Sequence, residues 1–146
     1  MNNKTKSLLI DFVQIGSLLA LVLTGPLFSS NLLVIIFQVL ALTLIILAVW
    51  EMRRNKFYRV PDIGRQDRLV TSGIYQYIRH PMYTSQILFA GTLLANYFSF
   101  FRLAVFCSLF VDFLFKIQYE EGLLMKYFSN YYEYMKKSSR LIPFLY

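Results

Sequence analysis

Arg79 and His80 stand directly before Pro81, an order of residues that can do chemistry. Proline is tolerated at the first position of a helix, where its missing N–H would have had no partner. A helix opening at Pro81 would therefore turn its free N–H groups and positive dipole end toward Arg79 and His80. A guanidinium, an imidazole and a helix N-terminus together make a site for an anion such as a carboxylate. Upstream, in the run from Arg68 to Tyr83, Gly73 permits a tight turn. The competing reading is structural: Arg79 snorkels to lipid phosphate and His80 closes the turn. Asp11 and Asp112 interrupt apolar stretches, and intramembrane carboxylates commonly mark ion or substrate paths, so a small proton-coupled exporter stands as a reading of a different class. Metal chemistry is not expected, because one His and one Cys cannot build a common zinc site; Cys107, alone, forms no intrachain disulfide.

These groups must be carried by a chain of 146 residues that is 57% hydrophobic and only 16% charged. A soluble fold of this size cannot bury so much apolar surface, so the composition predicts an all-α integral membrane protein. With no linker or internal repeat, residues 1–146 read as a single domain. A membrane-crossing helix needs about 20 residues with few charges. Four runs qualify as spans, at about 7–28, 32–50, 82–101 and 103–118; the last is the shortest and holds Asp112 and Lys116. The first follows Lys4 and Lys6 like a signal peptide, but its length and the lack of a small-x-small cleavage site make it a membrane helix.

The net charge of +7 is placed with a pattern. All of the 15 Lys and Arg except Arg102 fall in the N-terminus, the 51–81 loop or the C-terminal part. Positive loops stay in the cytosol, so both termini and the central loop are expected there, as an even number of spans requires. The cations then read as orientation and contact with anionic membrane lipids rather than as a nucleic-acid surface. The opposite turns, at Ser29 to Asn31 and around Arg102, are too short to hold a ligand, which leaves the chemistry to the 51–81 loop and the 119–146 tail. Within the tail, Lys126, Asn130, Glu133 and Lys137 fall on one side and Leu123, Tyr127, Tyr131 and Tyr134 on another, predicting an amphipathic interfacial helix over 119–137 that completes a cytosolic cap.

The run Leu69 to Tyr75, with Arg79-His80-Pro81-Met82-Tyr83 after it, resembles the isoprenylcysteine carboxyl methyltransferase family and its phospholipid methyltransferase relatives. So do Glu120-Glu121, Leu124, Tyr127-Phe128, Tyr131, Tyr134 and the closing Arg140-Leu141-Ile142-Pro143. The resemblance covers about residues 67–144 and implies an integral membrane enzyme that uses S-adenosylmethionine. It further implies that Leu69, Val70 and Tyr75 contact the cofactor, that His80, Pro81, Met82 and Tyr83 hold its methionine end, and that Glu120 takes one of its polar groups. Lys116 stands where relatives carry an Arg near the acceptor; it offers a point charge in place of a bidentate fork. Phe128 or Ser129 stands where the family often has Gly.

The residues support that picture on their own chemistry. A polar sulfonium donor arrives from the cytosol and a lipidic acceptor from the bilayer, so the site belongs where the two meet. Arg79 and His80 can hold a carboxylate, and Glu120 or Glu121 an ammonium or ribose hydroxyls. Tyr and Met side chains can line the adenine and thioether portions. Methyl transfer is an in-line displacement that needs alignment and exclusion of water. A carboxylate acceptor of isoprenylcysteine type needs no base, and Lys116 would orient it. A phospholipid amine must first lose a proton, which would fall to Glu121 or a water. A small lipophilic thiol is a third acceptor.

Overall fold

The computed structural model describes residues 3–54 and 69–143, with side chains of the first helix from Asp11 onward. Lys56, Arg59, Arg65, Arg68 and the side chains of Lys4 and Lys6, part of the orientation argument, lie outside the described residues. The described chain is all-helical: α1 (Asn3–Leu23), α2 (Leu32–Arg54), α3 (Pro81–Asn96), α4 (Phe100–Tyr127) and α5 (Tyr131–Lys137), with a 3₁₀ turn at Gly73–Gln76. The extended pairing among these residues is a single parallel bridge between Ile78 and Ser139.

The helix ends follow from local chemistry. α1 stops at Leu23, short of the expected Phe28, because Gly25-Pro26 follows; Thr24 closes its last turn with N–H and hydroxyl bonds to Ala20 O. Asn31 caps α2, its Oδ1 accepting the N–H of Leu33 at 2.9 Å. α3 opens at Pro81, as the proline predicts, and ends at Asn96. α4 differs more from expectation. It runs unbroken through 28 residues, so positions 119–127 continue the fourth helix instead of starting a separate tail helix. The break falls at residues 128–130, and only Tyr131–Lys137 forms a further helix.

One helix among the described residues, α2, is long and apolar enough to cross a membrane. Its 23 residues reach roughly 34 Å at ~1.5 Å per residue, more than the ~30 Å hydrocarbon core. Leu32, Leu33, Ile36, Leu42, Ile46 and Trp50 along it are all exposed, a face suited to lipid and not to water. The apolar part of α1, Asp11–Leu23, is shorter, and α3 has 16 residues.

The chain forms two compact units, residues 1–40 with 87–117 and residues 41–86 with 118–146. The first is fastened by Arg102, expected in the short turn between the third and fourth spans but found almost fully buried in the first turn of α4. Its Nη1 donates to Leu21 O at 2.8 Å and Thr24 Oγ1 at 2.9 Å, and its Nη2 to Leu93 O at 2.6 Å. A cation thus satisfies carbonyls at the C-terminal ends of α1 and α3. Gly25 makes room for it, since a Cβ there would lie 2.6 Å from Arg102 Nη1. Asn96 Nδ2 adds bonds to Pro26 O and Phe28 O. In the second unit, the tail folds back on the residues before α3. Arg79 N donates to Ser139 O, Ser139 N to Tyr77 O, His80 N to Arg140 O, and Thr84 Oγ1 to Leu141 O.

Candidate active site

The second unit assembles its chemistry from three stretches of chain. Gly73 adopts φ +58°, a left-handed conformation that glycine takes without a Cβ penalty, and starts the 3₁₀ turn that swings Tyr75 inward. Tyr75 packs with Ala48 and Val70, against Met52, Ile74 and Met82. Tyr134 of α5 donates to Tyr75 O at 2.6 Å, fastening that turn to the tail. Where α3 begins, the His80 ring stacks on Tyr83 with centroids 5.6 Å apart, and Tyr83 Oη donates to Glu120 Oε1 of α4 at 2.5 Å.

Glu121, 2% exposed, is the electrostatic centre of this unit. Its Oε1 accepts from Arg79 Nε at 2.8 Å and its Oε2 from Arg140 Nε at 3.0 Å. Burial alone would raise its pKa, but the adjacent His80 imidazole and Arg79 guanidinium outweigh it and hold the carboxyl at about 2. Arg79 Nη1 also donates to Met135 O at 3.1 Å and to the Ser138 carbonyl. His80 lies between the acids, Nδ1 3.7 Å from Glu120 Oε2 and Nε2 3.6 Å from Glu121 Oε1.

A cavity of about 130 Å³ opens among these groups. That is several times the ~15 Å³ a single water needs, so it has room for part of a ligand. Leu69, Val70, Tyr75, Arg79, His80, Pro81, Met82 and Tyr83 form one side; Met52, Gln86, Glu120, Leu124, Tyr131 and Tyr134 complete it. Three of these residues carry a buried polar atom without a hydrogen-bond partner: Tyr75 Oη, His80 Nε2 and Tyr131 Oη. Such atoms are costly unless something else satisfies them. Burial first, then the nearby Tyr134 and Glu120, raises the pKa of Tyr75; burial first, then Glu121, raises that of Tyr131. Burial pushes Tyr134 up to about 12. All three phenols are protonated donors at neutral pH.

The family described as phospholipid methyltransferase matches residues 30–131, most of the chain, including the run before α3 and both glutamates. The chain belongs to the phospholipid methyltransferase family. No curated protein and no solved structure matches it. Membership makes it a membrane methyltransferase, in keeping with the lipid-suited face of α2.

In this family member the residues singled out from the sequence take the following places. Leu69, Val70, Tyr75, Arg79, His80, Pro81, Met82, Tyr83 and Glu120 all line one cavity. Arg79, expected either to snorkel or to bind a ligand carboxylate, spends its Nε and Nη1 inside the protein, and the backbone N–H groups of Arg79 and His80 go to Ser139 O and Arg140 O. Glu121, considered as a base, has both oxygens engaged by arginines and a pKa too low to accept a proton near neutrality. Lys116 is not among the lining residues; within the first unit its Nζ donates to Asp11 Oδ1 and Gln14 Oε1, both at 2.6 Å. That pairing accounts for Asp11 without transport, and family membership leaves the exporter reading without support. Among the described residues, no group of three or more His, Cys, Asp or Glu could hold a metal. Sequence reasoning passed over Glu51, Met52 and Gln86. A lone acid where an apolar helix runs into a basic loop was the available signal for Glu51.

Proposed function

We propose that this protein transfers a methyl group from S-adenosylmethionine to a lipophilic acceptor at the cytosolic membrane face. The observation that supports it is the meeting of two distant motifs: His80 lies within 4 Å of both Glu120 and Glu121, beside a cavity whose wall leaves three buried polar atoms unsatisfied. Those atoms suit a donor bearing a carboxylate, an ammonium and ribose hydroxyls. Tyr75 Oη and Tyr131 Oη can donate to the carboxylate, His80 Nε2 can serve a polar group of either kind, and Glu120 can take the ammonium or the ribose. Met52, Met82 and Leu124 offer apolar contact for the thioether and adenine. The bound donor supplies an electrophilic methyl on sulfur; the chain's part is to orient it and exclude water.

The acceptor enters from the bilayer. A carboxylate of isoprenylcysteine type is already a nucleophile and needs no proton removed. A second reading, a phospholipid amine, draws on the cavity wall itself: among the described residues it holds an acid, Glu120, and phenols, while its guanidinium is taken up by Glu121. An ammonium must lose its proton before attack, and in this reading the proton goes to the Glu120–His80 pair, whose Oε2 and Nδ1 are 3.7 Å apart. The topology that suits either acceptor has four spans built on α1 to α4, both termini in the cytosol, and contact with anionic lipids along the basic rim.

The test is binding of labelled S-adenosylmethionine to the purified protein in lipid nanodiscs, then a methyl-acceptor screen with lipid extract, prenylcysteine analogues and hydrophobic thiols. Saturable donor binding lost in His80→Ala and Glu120→Ala is the expected result. Folded protein that binds no donor overturns the reading.

A further inference from the structure

The acid at the end of α2 has no part in the chemistry above. Glu51 is 4% exposed, and its Oε1 accepts a short hydrogen bond from Ser72 Oγ. It also sits beneath Gly73, where a Cβ would lie 2.7 Å from Glu51 Oε2 and 2.9 Å from Cδ. Gly73 is the described glycine with positive φ, so the chain takes its left-handed step directly over this carboxylate. Ser72 O accepts the N–H of Tyr75 at 3.1 Å, so the residue held by Glu51 starts the turn that aims Tyr75. One turn of α2 earlier, Ala48 packs against Val70 and Tyr75, and the next residue after Glu51, Met52, lines the cavity.

We infer that Glu51 is a positioning residue, holding the Val70–Tyr75 turn in the shape that walls the donor cavity. The inference rests on the proposed donor site for its functional consequence, though not for its structural one. The chemistry is specific. A buried carboxylate accepts a charge-assisted hydrogen bond from a hydroxyl more strongly than a neutral group does, and a glycine without Cβ lets the backbone approach it. An apolar residue at position 51 would leave Ser72 Oγ without this acceptor, and a side chain on residue 73 would displace Glu51.

The test uses full-length protein in nanodiscs, with Glu51→Ala, Glu51→Gln, Ser72→Ala and the Glu51→Ala/Ser72→Ala pair. Hydrogen exchange at the Tyr75 and Ile78 amides reads the turn without any ligand, and labelled S-adenosylmethionine binding reads the cavity. Glu51→Ala is expected to speed exchange at Tyr75 and weaken donor binding, each by about tenfold, as expected for one lost buried hydrogen bond. Glu51→Gln, whose amide oxygen can still accept from Ser72, is expected to recover most of both. The paired variant is expected to be no worse than Glu51→Ala alone, because the two residues act through each other. Unchanged exchange at Tyr75 in Glu51→Ala, or strictly additive losses in the pair, overturns the inference. If wild-type protein binds no donor, the proposed function fails, and the exchange measurements still decide the role of Glu51. Ser72→Ala, which removes a single hydroxyl, keeps the question decidable if Glu51→Ala does not fold.

Discussion

Both units enclose an arginine side chain, and they use it differently. In the first, the Arg102 guanidinium ends on Leu21 O, Leu93 O and Thr24 Oγ1, so a cation closes the ends of two helices. In the second, Arg79 binds Glu121 and the carbonyls of Met135 and Ser138, and so fixes a carboxylate and the tail beside a cavity. Each unit also leaves polar atoms without partners. In the first they are Arg102 Nε and Asp112 Oδ2; in the second, Tyr75 Oη, His80 Nε2 and Tyr131 Oη all belong to residues around one space. A buried charge is therefore a poor marker of function by itself. Unsatisfied groups gathered on a shared cavity are the better one.

The contrast breaks most forcefully at Glu121. Glu121→Ala would leave Arg79 buried without its counter-ion, and removing one partner of such a pair costs about 3–5 kcal/mol. Chemical unfolding in detergent should register that loss, together with loss of donor binding, because the tail that carries Tyr131 and Tyr134 is held through Arg79. A stable variant with normal donor affinity would show that the Arg79–Glu121–Arg140 cluster does not build the cavity.

The same group sets an acid limit. The Glu121 pKa is lowered from 4.5 to about 2 on folding, so its contribution is fully present above the unfolded value and is lost as pH falls from about 4.5 through 2. A shift of that size corresponds to about 3–4 kcal/mol, at ~1.4 kcal/mol per unit. Near-ultraviolet circular dichroism of the tyrosines should follow the loss of tail packing over that window, and Glu121→Gln should flatten the transition. Arg102→Met probes the first unit. Leaving Leu21 O and Leu93 O without their donor should cost about 2 kcal/mol, while donor affinity of the folded protein stays within about twofold. A parallel collapse of donor binding would erase the distinction between the two arginines. His80→Ala and Glu120→Gln reverse that pattern, with stability changed by about 1 kcal/mol or less and donor affinity falling at least about tenfold.

Much of this arrangement was legible in the sequence. Pro81 marked the start of α3, Gly73 its preceding turn, and the run from Leu69 to Tyr83 together with Glu120 supplied the cavity wall. The periodicity of the tail was misleading, because polar and apolar faces do not reveal where a helix ends. Positions 119–127 contain no proline and continue α4 through Gly122, while the break at 128–130 lets Tyr131 and Tyr134 turn into the cavity instead of onto a membrane surface. Partner choice was hidden for a more general reason. Composition shows that Arg79, Glu121, Arg102 and Lys116 carry charge, but only the tertiary fold decides which charges neutralise one another and which are left for a ligand.

Lys116 gives the finest discrimination. Its ammonium is on Asp11 and Gln14, and the Asp11 side chain is 40% exposed, so the pair is partly wet and its loss should cost about 1 kcal/mol at most. Lys116→Met and Asp11→Asn should therefore each destabilise by a small amount, and the double variant by less than the sum of the two, as expected for residues in direct contact. Donor affinity should stay at the wild-type value in all three. Acceptor turnover separates this from the role that the family resemblance implies. Equal turnover in Lys116→Met and Asp11→Asn means that the ammonium serves the ion pair. A fall in acceptor turnover confined to Lys116→Met, with donor affinity intact, means that the same ammonium also reaches the acceptor, since removing Asp11 leaves the ammonium in place on Gln14 while removing the lysine takes away the charge.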